Sequence, residues 1–241
     1  MKMESYIVTG ASKGIGLALS KQLAESGHQV IGIARTRPED WTGALFITHD
    51  LTDIAGISEV MSRAATEISA EAEAVTLVNN AGTVEPIGFA ATNDGPDIAK
   101  SITLNLTAPM SLSAAFLRET AEAASRRIVN ISSGAGRKQV KGWSAYCAGK
   151  AGLDHYTACL DAEYGDVKAV SVAPGIIDTG MQEKIRESGE EDFPQIEHFR
   201  DYKRSGKLSS PEETAAGLIQ LMQRPDFHEL PVLLDLRDLP R

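Results

Sequence analysis

The sequence predicts a doubly wound α/β fold with a parallel sheet. Short β-branched or apolar runs recur along the chain, segments with a three-to-four-residue apolar period separate them, and a glycine-rich turn directly follows the first run. The runs fall at residues 6–8, 28–33, 44–47, 75–78, 127–131, 167–172 and 231–234, which makes about seven strands. Strand, helix, strand is the repeating unit, and it places helices on both faces through right-handed crossovers. In the first helix Ile15, Leu19 and Leu23 share a face, and Gly27 stands where a left-handed cap is wanted. No repeat, low-complexity tract or linker interrupts the 241 residues, so residues 1–241 read as a single domain. The one irregular region is 179–207, highly charged and carrying Gly189, Pro194 and Gly206. Ser210-Pro211-Glu212-Glu213 then supplies a capping box with proline at the first helical position. This region is expected to be an insertion over the sheet's edge, either a substrate lid or a static, solvated helix pair.

Composition narrows the function. Hydrophobic residues at 42% and charged residues at 24% describe a globular chain with a sizeable core, not a disordered or fibrous one. A net charge of -9 without a basic patch repels phosphate backbones and anionic lipid, so the expected partner is a small molecule, not nucleic acid or a membrane. Cys147 and Cys159 lie twelve residues apart in one predicted helix. That is about 18 Å along its axis, too far for a disulfide, and they read as reduced thiols. No metal site is expected. Residues 1–10 lack the features of a signal peptide, and no apolar stretch approaches about 18 residues; the cytoplasm is the expected compartment.

The turn after the first strand reads Thr9-Gly10-Ala11-Ser12-Lys13-Gly14-Ile15-Gly16 and opens the first helix. There a dinucleotide's pyrophosphate meets free backbone N–H groups and the helix dipole, with Gly10, Ser12, Gly14, Ile15 and Gly16 allowing close approach. The spacing is not the strict G-x-G-x-x-G, and a turn needing positive φ gives the same glycines. At the end of the second strand, where a carboxylate selecting NAD is usual, stands Arg35. Lys13 and Arg35, aided by Arg37, suit the 2′-phosphate of NADP(H), although arginines at such positions are also ordinary solvated charges. After the third strand Asp50, with Leu51 beside it, either receives the adenine amino group or caps the following helix.

Tyr146 and Lys150 are four apart in residues 144–164, a segment with helical periodicity, so both project from one face. An ammonium beside a phenol lowers its pKa from about 10 and suits it to general-acid work on a carbonyl. Alone, such a pair reads first as a solvated amphipathic feature of a helix surface.

Together with Thr9 to Gly16, the motifs Asn79-Asn80-Ala81-Gly82, Asn105, Ser133, Tyr146-x-x-x-Lys150 and Pro174-Gly175 resemble those of the short-chain dehydrogenase/reductase family, in order and in spacing, over essentially the whole chain. The resemblance implies a Rossmann-like domain in which Tyr146 is the acid, Lys150 tunes it and holds the nicotinamide ribose, and Ser133, with Ser132 as the alternative, bonds the substrate oxygen. It implies that Asn105 holds a water leading from Lys150 to solvent, and that Asn79, Ala81 and Gly82 line the cofactor's path and steady the sheet. Pro174, Gly175, Ile177 and Thr179 resemble the segment beside the nicotinamide carboxamide. Residues 79–86, 130–136, 142–149 and Gly180-Met181-Gln182 are most similar to the sepiapterin and benzil reductase branch, which implies NADPH-dependent reduction of a vicinal diketone or a pterin side-chain carbonyl. The alternatives are a dehydrogenase of a hydroxy compound or a silent NADP(H) sensor. Trp143 and Met181 are expected either to wall the substrate pocket or to be plain core. Asp235 stands where sepiapterin reductases anchor the pterin, or is a surface aspartate. A homodimer or homotetramer is what the family implies.

Overall fold

The computed structural model describes residues 3–239. In chain order the elements are β1 (Ser5–Thr9), α1 (Gly14–Glu25), β2 (Gln29–Ala34), β3 (Leu45–Thr48), α2 (Ile57–Thr66), β4 (Val75–Asn79), α3 (Gly95–Ile102), α4 (Ala108–Glu119), β5 (Arg126–Ile131), α5 (Ser144–Glu163), β6 (Val167–Ala173), α6 (Gly180–Glu187), α7 (Ile196–Arg204), α8 (Pro211–Met222) and β7 (Leu233–Asp235). All seven strands pair in parallel in one sheet, ordered β3-β2-β1-β4-β5-β6-β7. The order reverses between β1 and β4, and ligands of such sheets bind beyond the strand ends at that switch.

The strands are apolar throughout because both faces are covered. From β1, Tyr6 and Val8 join Leu19, Leu23, Leu218 and Leu221 of α1 and α8 on one face, while Ile7 joins Met61, Leu112 and Phe116 of α2 and α4 on the other. Each predicted run is a strand, with ends displaced by a residue or two. The largest displacement is at β7, predicted from residue 231 and observed from Leu233, because pairing begins only where Ser171 of β6 finds Leu233.

Residues 179–207 hold α6 and α7. These helices do not float over the sheet: Ile185, Phe193 and Ile196 are buried with Val84, Trp143 and Tyr146 in a third apolar cluster. Ion pairs from Lys184 to Glu85, and from Arg186 and Lys203 to Asp178, pin the outer surface. Both cysteines lie on α5 and are free. Among the described residues, no helix is long and apolar enough to cross a membrane, and no group of three or more His, Cys, Asp or Glu is placed to hold a metal ion.

At the start of α8 the capping box forms as its sequence requires. Ser210 Oγ accepts from the Glu213 N–H at 3.0 Å, and Glu213 Oε2 accepts from the Ser210 N–H at 2.9 Å. Ser210→Ala is expected to lower the unfolding free energy by about 1 kcal/mol, read as a lower urea midpoint with unchanged slope.

Candidate active site

A cleft of about 1380 Å³ opens at the carboxyl ends of β1, β4, β5 and β6, and it is lined at one end by the glycine turn and at the other by α6 and α7. The turn is built for close approach. Gly10 and Gly14 have φ of +66° and +56°. A Cβ on Gly16 would lie 2.6 Å from Asn80 Nδ2 and closer still to the Gly10 carbonyl oxygen. Behind it, Thr9 Oγ1 accepts from the N–H groups of Asn80 (2.9 Å) and Ala81 (3.1 Å), and Asn80 Nδ2 donates to the Thr9 carbonyl at 2.9 Å. Lys13, at the N-cap of α1, makes no side-chain cap, so the first-turn N–H groups of α1 are left to bind an anion. A dinucleotide's pyrophosphate fits this cradle.

Ser12, Lys13 and Arg35 also border a side lobe of about 270 Å³ with Thr36, Arg37 and Pro38. Lys13, Arg35 and Arg37 are exposed. Three cations beside one recess are suited to a phosphate. Asp50 Oδ1 accepts from the Thr52 N–H at 3.0 Å and from its hydroxyl at 2.9 Å. These bonds, the backbone one first, hold the Asp50 carboxyl below its ordinary pKa. The aspartate therefore closes a local turn in place of the helix cap considered from sequence. Asp50 lines the cleft, with Leu51 buried beside it.

Ser133, Tyr146 and Lys150 meet at the centre of the cleft, from the end of β5 and the first two turns of α5. Tyr146 is 6% exposed and Lys150 4%, and the Lys150 Nζ lies 5.9 Å from the Tyr146 ring centroid while donating to the Ile131 carbonyl at 2.8 Å. Burial, ahead of every other influence, pushes the phenol up, and the Ser133 side chain opposes it. Burial likewise brings Lys150 down to about 8. The sequence expectation of a phenol lowered by its lysine is thus corrected: desolvation is the largest influence, and the side chain that opposes it is Ser133. Of the two serines, Ser133 is the one at the phenol, and it also accepts from the Ala135 N–H at 3.1 Å. Ser132 Oγ is buried without a partner.

Asn105 sits in a π-helical turn, Thr103–Thr107, between α3 and α4. Its amide brackets Thr83, accepting from the N–H at 3.1 Å and donating to the carbonyl at 2.8 Å. A Cβ on Gly82 would lie 2.8 Å from Asn105 Oδ1 and 3.6 Å from Lys150 Nζ, so only glycine leaves these groups in place. Of the two parts expected of Asn79, the structure gives the bracing of the sheet: its amide donates to Asn130 Oδ1 (2.8 Å) and Ser113 Oγ (3.3 Å) inside the fold. It steadies the sheet, whereas Asn80, Ala81 and Gly82 line the cleft. Sequence reasoning quoted Asn80 in its motif and gave it no role; its brace on the glycine turn requires the β1–β4 pairing to be known.

Pro174, Gly175, Ile177 and Thr179 all line the cleft. Around Ile177, Ser209 donates to the Ile176 carbonyl and accepts from the Asp178 N–H. The backbone groups of Ile177 itself are thereby turned to the opposite side.

Trp143 and Met181 line the α6–α7 end of the cleft, and Trp143 belongs to the third cluster, with Met181 packed against it. Trp143 stacks on Phe193 (centroids 4.7 Å apart, planes at 8°) and meets Tyr146 edge-on at 5.6 Å. Asp235 does not present a free carboxylate. Arg237 binds it through Nε (2.8 Å) and a terminal nitrogen (2.6 Å), and Arg237, not Asp235, lines the cleft. The two residues lie in one tight turn, where the Arg237 N–H also donates to Asp235 Oδ1 at 3.0 Å.

Residues 4–190 match the family model described as short chain dehydrogenase. The chain is 38% identical to a benzil reductase ((S)-benzoin forming) of Bacillus subtilis, over 92% of this chain and 94% of that one. It is 32% identical to the sepiapterin reductase of Meriones unguiculatus, over 92% of each. Among solved structures, a short chain dehydrogenase/reductase from Saccharomyces cerevisiae superposes with a TM-score of 0.85 at 27% identity, covering 98% of this chain and 96% of that one. Motifs, sheet order and relatives agree: the chain belongs to the short-chain dehydrogenase/reductase family of nicotinamide-dependent oxidoreductases, in the branch of the benzil and sepiapterin reductases.

Proposed function

We propose that the protein reduces one carbonyl of an aryl vicinal diketone to the hydroxy ketone, with NADPH as reductant. The observation that carries this reading is the meeting of Tyr146, Ser133 and Lys150 at the floor of a cleft whose outer wall is aromatic. Gly10, Ser12, Gly14 and Ile15 would hold the pyrophosphate, and Lys13 and Arg35 the 2′-phosphate. Asp50 and Leu51 border the adenine end, and Lys150, Ile177 and Thr179 the nicotinamide end. Bound there, the reduced nicotinamide supplies a hydride.

The chain's own residues do the rest. Burial keeps the Tyr146 phenol protonated, which is the form a proton donor needs. Ser133 donates to the carbonyl oxygen as negative charge grows on it, and the Lys150 ammonium stabilises the tyrosinate left behind. Trp143, Met181 and the lid helices exclude water and give aryl groups a surface to pack on.

Three outcomes test this. Tyr146→Phe should reduce kcat/KM for benzil by about 10²- to 10⁴-fold while NADPH still binds by fluorescence titration; retained turnover refutes the acid role. Arg35→Ala should raise the KM for NADPH by about tenfold or more, the worth of a charge-assisted hydrogen bond, and leave that for NADH nearly unchanged. Equal effects on both would reject 2′-phosphate recognition. Lys150 also makes stability depend on pH. Its folded pKa of about 8 lies below the ordinary 10.5, so between these values the unfolded chain binds more protons and stability rises with pH. Wild type should therefore gain about 3 kcal/mol relative to Lys150→Met from pH 8 to 10.5, measured by urea unfolding; parallel pH curves would contradict the buried ammonium.

A further inference from the structure

A second buried charge lies directly behind the reacting groups. Asp154 follows Lys150 by four residues and Tyr146 by eight, so the three share one face of α5. Its side chain is 7% exposed. Both carboxylate oxygens are engaged: one accepts from Arg137 Nε at 3.0 Å, the other from Ser171 Oγ at 2.6 Å. Arg137 closes the 3-10 turn Gly134–Gly136, which begins at Ser133. It also donates to the Leu234 carbonyl at 3.0 Å and to the Ser171 carbonyl at 3.3 Å. One guanidinium thus joins the Ser133 turn, the Tyr146 helix, β6 and β7. Between them, a Cβ on Gly136 would lie 2.9 Å from the Lys150 backbone carbonyl, so the turn rests directly on the helix at Lys150.

Apolar residues of similar volume would fill this space without the desolvation cost of an ion pair. What they would lack is a negative charge one helical turn from a buried ammonium. We propose that Asp154, held by Arg137, is a positioning residue for the acid–base group: its carboxylate keeps Lys150 charged, and the ion pair fixes the Ser133 turn to the helix that carries Tyr146. This rests on the roles of Tyr146 and Lys150 given above. Burial drives Lys150 toward the neutral amine, and the Asp154 carboxylate opposes it. Around the ammonium, β5 contributes the neutral Ile131 carbonyl, the segment after β4 contributes Gly82, and the π turn contributes Asn105. The titratable or charged groups are Tyr146 and Asp154 from α5, with Cys147 beside the tyrosine, and Arg137 from the turn.

The test follows Lys150 directly by 13Cε NMR in protein prepared without added cofactor, with Lys150→Met assigning the signal, and in parallel follows the alkaline limb of kcat/KM for benzil. Asp154→Asn should lower the titration midpoint and the limb together by about one pH unit, the effect of a charge one turn away in a partly screened interior. Arg137→Gln removes the opposing positive charge and should move both upward. Arg137→Lys should restore the wild-type midpoint with a reduced kcat, because the charge returns without the fork that binds the two carbonyls. An unmoved midpoint in Asp154→Asn, or shifts of one sign in Asp154→Asn and Arg137→Gln, overturns the proposal. Should Asp154→Asn fail to fold by near-UV circular dichroism, the comparison of Arg137→Gln with Arg137→Lys decides, and identical midpoints count against it. Failure of the underlying reading looks different: Tyr146→Phe would then retain activity whatever the midpoints do.

Discussion

The burial of the Lys150 ammonium, which the proposed function needs charged, is the constraint around which the site is arranged. At 4% exposure Lys150 has lost most of its hydration, and desolvation alone favours the neutral amine. The surroundings replace water with fixed groups: the Ile131 carbonyl from the strand end at 2.8 Å, and the space left by the missing side chain of Gly82. The same burial acts with opposite chemical consequence on Tyr146, raising its phenol and holding the proton in place. One water-excluding environment thus gives a reluctant acid and a cation next to it. In the proposed reaction, that combination suits a proton donor that acts as a carbonyl oxygen gains negative charge in front of the phenol.

The parallel sheet makes this arrangement possible because its strand ends deliver backbone and side chains to one edge. β1 and β4 are neighbours although three elements of chain, α1 through β3, and then α2, intervene. Their adjacency lets Thr9 and Asn80 brace the glycine turn, whose positive φ angles its own glycines allow. On the next pair, Asn79 and Asn130 meet in register and Asn130 Nδ2 donates to Thr157 Oγ1 at 2.8 Å. This places α5, and with it Tyr146, relative to the sheet through a buried polar chain. Such a chain is satisfied in only one register, which is why it specifies position better than apolar contact does.

Much of this was legible in the sequence, and the division has a physical basis. The seven strands announced themselves as apolar runs because both sheet faces are covered. The glycines with positive φ, the Ser210 capping box and the Tyr146–Lys150 spacing are local rules that need no tertiary information. What stayed hidden depends on partners far away in the chain. Asn79 and Asn80 are adjacent and chemically identical, yet strand alternation sends one into the fold and the other to the cleft. Arg137 and Asp154 carry no motif, and they acquire meaning only when β6, β7 and the Ser133 turn are brought together. The direction of the tyrosine's pKa was misjudged for the same reason: helical spacing reveals the neighbouring charge and conceals the depth of burial.

Asp235 shows how a short polar pair can redefine a pocket that a motif match leaves unchanged. A free carboxylate at the end of β7 would favour substrates with cationic or strongly donating groups. Here both of its oxygens accept from Arg237, two residues further on, and the arginine's methylenes lie over Gly175, 3.5 Å from where a Cβ would stand. The carboxylate's charge is therefore neutralised before any substrate arrives, and the guanidinium spends its donors on it. With that end of the cleft balanced, the proposed function leaves directional recognition to Ser133 and Tyr146. The opposite wall of Trp143, Met181 and Phe199 offers apolar surface and no charge. On the proposed function, a pocket divided in this way predicts a preference for flat, neutral aryl diketones over pterins, whose ring nitrogens need hydrogen-bonding partners away from the reacting carbonyl.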